Sequence, residues 1–138
     1  MDYEALAAEL RSLRETVAGV TDIVLAGVDG IPIFADAGAG VDPANVSALA
    51  AADLGVARQA VEVIGHGALS QTVVFSSGGY MAVYAVGRTA LMVVLGDKGL
   101  NLGRLLHEAQ PVIARISSVL TAQPSPTPKA RRRTQTTS

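Results

Sequence analysis

His66 and His107 are the only side chains here whose ordinary pKa suits acid–base work near neutral pH, and the 138-residue chain has no cysteine. Nucleophilic catalysis of the Ser-His-Asp kind needs such a base held against a hydroxyl. His66 stands between Gly65 and Gly67 in an expected loop, and no acid–base constellation surrounds it. It reads as a surface or loop-packing residue. His107 falls inside an expected helix and reads as a solvated or boundary residue. Two histidines without spaced carboxylates make a poor metal set. The missing cysteine excludes disulfides, thiolate metal sites and cysteine nucleophiles, and it suits a reducing compartment.

Phosphate chemistry is also poorly provided for. Gly96-Asp97-Lys98-Gly99 joins glycine to lysine, but neither Ser nor Thr follows the lysine as a phosphate-binding loop requires. Gly38-Ala39-Gly40 and Gly65-His66-Gly67 begin like a dinucleotide fingerprint and fail at the third glycine. The chain is expected not to be an enzyme, with no catalytic residue, no metal and no cofactor assigned. Function then has to come from surfaces, and the question becomes which elements present them.

The strongest local signal is Val28-Asp29-Gly30-Ile31-Pro32-Ile33, where Asp-Gly between apolar runs predicts a hairpin with a two-residue type I′ turn. Pro32 cannot donate a ladder hydrogen bond, so its strand is expected at a sheet edge. A helix over 3–18 precedes, with Leu6, Leu10, Leu13 and Val17 at helical spacing, Asp2 as its cap and Gly19 as its stop. Strands are expected at 21–28 and 31–36. Asp42-Pro43 opens a second helix running to Ile64, with Gly65 at its C-terminus. Strands over 68–76, 80–86 and 90–95 follow, joined by turns short enough to require antiparallel neighbours. Asn101 caps a last helix over 102–120, in which Pro111 is expected to delete one hydrogen bond and introduce a kink. The order α-β-β-α-β-β-β-α implies an α+β fold, one five-stranded antiparallel sheet sandwiched by helices.

Charge divides the chain. Residues 1–121 carry seven basic and twelve acidic side chains, a balance of −5, whereas Lys129, Arg131, Arg132 and Arg133 face no acid in the rest. The boundaries are therefore 1–121 for one domain and 122–138 for a disordered basic tail of Pro, Ser and Thr. An acidic domain without aromatic platforms argues against nucleic acid. No apolar run reaches the length of a membrane span, and the acidic N-terminus lacks a signal-peptide layout. The expected location is cytoplasmic, with peripheral contact at the inner membrane face only through the tail. Four basic groups are near the lower limit for lipid binding, and phosphorylation of Thr127 or Thr134 would offset them.

The second helix carries the interaction argument. Over some twenty-two residues its only charges are Asp53, Arg58 and Glu62. On a wheel, Val46, Ala50, Leu54, Ala57, Val61 and Ile64 share one side, and Leu49, Val56, Ala60 and Val63 extend the apolar arc. Ala44, Ala48, Ala51, Ala52 and Gly55 gather opposite, where a solvated helix would carry Lys and Glu. Two readings stand: alanine chosen for helix propensity, or a face covered by another chain. Gly55 favours cover, because glycine inside a helix costs about 0.5–1 kcal/mol relative to alanine.

These residues resemble the roadblock/LC7 domain. The resemblance rests on the order of elements, the Val28–Ile33 hairpin, the Leu49-Ala50-Ala51-Ala52 helix and Asn101-Leu102-Gly103 opening the last helix. It covers residues 3–120, and the Ala/Gly/Val/Arg usage is similar to that of bacterial, actinobacterial members. It implies a profilin-like sheet with one helix on one face and two on the other. It implies a homodimer through the second helix and third strand, with dimer candidates Val56, Ala60, Val63, Thr72, Val73, Val74 and Phe75. MglB-like members bind a small Ras-like GTPase as activating or regulatory partners, and others are encoded beside a sensor kinase-like protein. The implied partner-facing candidates are Ala48, Ala51, Ala52, Gly55, Arg58 and Gln59. Arg58 is the only arginine on that helix that could act as a transition-state finger; selective binding of one switch conformation is the other mechanism. A scaffold that links a GTPase to a membrane sensor without altering hydrolysis is the alternative. A small-molecule sensor is a third reading, against which stands an aliphatic interior with no convergent polar set.

If the tail lies outside the folded unit, deletion of residues 123–138 leaves the cooperative thermal transition intact. Loss of that transition on truncation contradicts the boundary.

Overall fold

The computed structural model describes residues 1–122; the expected disordered tail falls almost wholly outside them. The elements are α1 (Tyr3–Thr16), β1 (Val20–Gly27), β2 (Pro32–Asp36), α2 (Pro43–Ile64), β3 (Gln71–Ser76), β4 (Gly79–Val86), β5 (Ala90–Asp97) and α3 (Leu102–Thr121). Each helix starts on a side chain that accepts an otherwise orphaned backbone N–H. Asp2 Oδ1 accepts from Ala5, Asp42 Oδ1 from Ala44 and Asn101 Oδ1 from Arg104, at 3.0, 3.1 and 3.0 Å. Gly65 closes α2 in the left-handed region at φ 70°, and His66 N–H donates back to Val61 C=O.

The five strands form one antiparallel sheet in the order β2-β1-β5-β4-β3. Both faces of the central strands are covered, so β1 and β5 read as continuous apolar runs. Ile23 and Leu25 point with Tyr84 and Met92 toward α1 and α3, against Leu6, Leu10, Leu13, Leu105 and Ile116. Their neighbours Val24 and Ala26 point the other way with Val83, Leu91 and Val93, against Ala50 and Leu54 of α2. Each buried leucine contributes about 1.5–3 kcal/mol. Arg115 Nε donates to Glu9 Oε1 at 2.8 Å and ties α3 to α1.

Three expectations are corrected. First, the hairpin turn is not type I′. Among the described residues no residue other than glycine has positive φ, and within this turn Gly30 alone takes it, at 87°. Gly30 N–H donates to Gly27 C=O and Gly27 N–H to Ile31 C=O, so the loop spans Val28–Gly30 with a glycine in the third place. Asp29 Oδ1 accepts from Ile31 N–H and holds it. Second, α1 stops at Thr16 and Val17 is extended. Gly19 instead permits close approach: a Cβ there would lie 2.7 Å from Leu100 Cα. Third, β3 starts at Gln71, not Ala68, after an irregular stretch through Gly67. α3 continues as one helix across Pro111. Pro111 and His107 are both exposed, so the carbonyl that loses its donor is on the solvated side.

Two hydroxyls in this interior have no hydrogen-bond partner among the described residues, those of Ser47 and Tyr84. Burial pushes the Tyr84 phenol up to about 12 from its ordinary 10.0. The neutral form is the one the fold accepts, so its stability is intact below pH 10 and falls as pH rises toward 12. Urea melts of wild type and Tyr84→Phe over that window are expected to diverge by about 1.4 kcal/mol per pH unit, wild type losing more. Parallel curves would show that Tyr84 is not the group responsible.

Candidate partner interface

Among the described residues α2 is the only helix on its face of the sheet, and only Ser47, Ala50 and Leu54 of its residues are fully buried. One long flank looks to the edge strand β3, where Thr72 Oγ1 donates to Asp53 Oδ2. The other looks to the hairpin turns. There Gly30 fits against the helix so closely that a Cβ on it would sit 3.3 Å from Ala48 Cα. Val28 N–H, donating to Thr89 C=O at 2.9 Å, joins that turn to the β4–β5 turn.

Strand alternation splits the four β3 candidates. Thr72 and Val74 lie opposite Val83 and Met81, on the α2 side. Val73 and Phe75 lie opposite Ala82 and Tyr80, on the α1/α3 side, and the Phe75 ring stacks on Tyr80 at 4.9 Å. β3 pairs with β4 alone, so its outer N–H and C=O groups are open. The opposite edge is blunted: β2 is short, starts at Pro32, and is held to α1 by Arg14 Nε on Asp36 Oδ2 at 2.8 Å.

The apolar side chains left in solvent are concentrated here. Relative exposure is 62% for Leu49, 68% for Val56, 85% for Val63 and 74% for Phe75, with Val73 and Val74 also exposed. Leu49, Val56 and Val63 recur every seven residues along one line of α2, and so many exposed apolar side chains on one helix and its neighbouring edge strand make this face a candidate for cover by another chain. The expected Val56, Ala60 and Val63 are thus exposed on α2 beside the open strand. Leu49 belongs with them by position and exposure; it was visible in the sequence as part of the apolar arc.

The six partner-facing candidates do not form one set. Ala48 and Ala51 are small where the Gly30 turn packs on them, a reason internal to the chain. Ala52, Gly55 and Gln59 are exposed on the outward face. Arg58 is half-buried and turns toward the β4–β5 turn, where it lines a cleft with Glu62 and Arg88. Arg88 was not singled out from sequence; a turn arginine gives no signal there. A Cβ at Gly55 would meet nothing within 4 Å, so no contact within the protomer demands glycine. His66 and His107 are both exposed, and among the described residues no group of three or more His, Asp or Glu is placed to hold a metal.

The roadblock/LC7 domain profile matches residues 6–96. The chain belongs to the roadblock/LC7 domain family. Solved structures repeat the architecture. A roadblock/LC7 domain from Streptomyces avermitilis is 23% identical, with a TM-score of 0.76 over 83% of this chain and 96% of that one. MglB from Myxococcus xanthus is 15% identical, with a TM-score of 0.82 over 92% and 96%. The gliding protein MglB from Thermus thermophilus is 14% identical, with a TM-score of 0.78 over 88% and 92%. No curated protein matches the chain at a significant level. Within this roadblock/LC7 domain, no helix of the described residues is long and apolar enough to cross a membrane.

Gly55→Ala separates the two origins of the alanine-rich face. With open space around the methyl, the isolated protomer should gain about 0.5–1 kcal/mol in urea unfolding. A loss of stability in a monomeric background would mean that the constraint lies inside the chain.

Proposed function

We propose that this roadblock/LC7 domain is a non-catalytic homodimeric partner of a small Ras-like GTPase. The observation that carries the reading is the run of exposed Leu49, Val56 and Val63 beside an unpaired β3 edge. A second copy supplies what both lack. Its apolar helix face covers the first, and its edge strand completes the ladder, so one sheet runs through both protomers. The interface is isologous, with Val56, Ala60, Val63, Thr72, Val73, Val74 and Phe75 contributed twice.

The outward residues Ala52, Gly55 and Gln59 then lie on the paired helices, where small side chains let a partner backbone approach. The domain itself brings no hydrolytic group. Its influence on the GTPase is exerted by binding one switch conformation better than the other, and the size of that influence equals the difference in affinity. Arg58 points into its own cleft and is not the residue through which regulation acts. Family membership and the structural likeness to MglB support the reading. Its cytoplasmic setting, and a sensor kinase-like protein as further partner, belong to the same proposal.

Light-scattering chromatography tests it. Wild type is expected at roughly twice the 14.1 kDa of one chain, and Val56→Glu/Val63→Glu as a folded monomer. With a GTPase in its GTP-analogue state, Gly55→Arg should stay dimeric and lose capture. The hydrolysis rate with and without the dimer separates regulator from scaffold. A wild-type monomer that captures nothing overturns the proposal.

A further inference from the structure

A cleft of about 550 Å³ lies apart from the α2–β3 face, where the C-terminal half of α2 meets the α2–β3 loop and the β4–β5 turn. Arg58 and Glu62 line it from the helix, Arg88 from the turn, and Val61, Leu69 and Ala85 supply apolar wall. Its charge runs against that of the domain, which carries −5 over residues 1–121. Among the described residues the ion pairs are Arg14 with Asp36 and Arg115 with Glu9. Arg58 and Arg88 take part in neither, although Glu62 follows Arg58 by one helical turn. Two arginines therefore line one open cleft, and among the described residues neither is engaged in an ion pair, which leaves their N–H donors available to a ligand. The adjoining backbone is bare as well. Gly67 and Gly87 have positive φ, 86° and 63°, and a Cβ at Gly67 would meet nothing within 4 Å.

We propose that this cleft binds a small organic anion, a single carboxylate or phosphate headgroup on an aliphatic body. Arg58 and Arg88 take the headgroup, a geometry in which arginine is favoured because its planar fork matches both oxyanions. Val61, Leu69 and Ala85 cover the body. Glu62 sets the charge limit: its carboxylate at the rim opposes polyanions, so one anionic group is accommodated and a polyphosphate is not. This polar convergence is absent from the sequence, because residues 58, 62 and 88 meet only through the fold. The site stands independently of the GTPase reading.

The test is an amide-resolved NMR titration of the full chain at low ionic strength, with hexanoate and hexyl phosphate as probes. Saturable shifts at Gly67 and Gly87 are expected for at least one of them, and the tighter one identifies the headgroup. Hexanol, which lacks the charge, should produce none, and inorganic phosphate, which lacks the body, should bind more weakly. Arg58→Gln/Arg88→Gln should weaken binding by roughly tenfold or more, since each lost bond to a charged group is large. Glu62→Gln should strengthen it several-fold, an effect that a merely structural role would not produce. Either single arginine variant gives the same direction if the double variant fails to fold. Absence of saturation with both probes, equal binding of hexanol, or unchanged affinity in the arginine variants overturns the proposal.

Discussion

The structure depends on covering a sheet whose two faces are both apolar. α1 and α3 together close one face, with Tyr84, Met92 and Ile23 beneath them. On the other face α2 works alone, over Val24, Ala26, Val83, Leu91 and Val93. One helix about 10 Å wide cannot cover five strands spaced nearly 5 Å apart. What it leaves is at the β3 side, where α2 meets the last strand at Thr72 but Val73, Val74 and Phe75 remain exposed and no strand lies beside it. The asymmetry of the layers thus leaves the exposed apolar flank of α2 beside an open strand edge.

The same constraint explains how α2 is held. Its contacts come from both sides: Asp53 receives the Thr72 hydroxyl at the edge strand, and Ala48 and Ala51 receive the Gly30 turn. Between these supports the helix crosses the sheet with an outward face free of Lys. Close backbone approach recurs at the sheet's other end, where a Cβ on Gly79 would clash with the carbonyl oxygen of Gly96. Gly19, Gly30, Gly79 and Gly96 stand where backbones meet, whereas nothing crowds Gly55, as nothing crowds Gly40, Gly65, Gly67 or Gly78.

Much of the fold was legible in advance. Asp42-Pro43 and Gly65 bracket α2 as read, because caps act through neighbouring backbone groups and so are local. Pro32 placed β2 at an edge for the same kind of reason. The turn type failed because Asp-Gly suits two loops, and the register of β1 on β2, with its irregularity at Leu25/Ala26, selects between them. The start of β3 failed because a strand's extent is set by its partner, and β4 pairs only from Gln71 onward.

The candidate site was half legible. Periodicity alone determined that α2 has more apolar surface than one sheet face can bury, and that its far side is small. Only the tertiary structure decided which flank meets β3, that Ala48 and Ala51 are small for a turn of their own chain, and that Arg58 and Arg88 line one cleft. The reason is physical. Spacing along a helix states which residues share a direction, and the direction of the sheet, the edge and the turns is fixed by pairings between residues far apart in the chain.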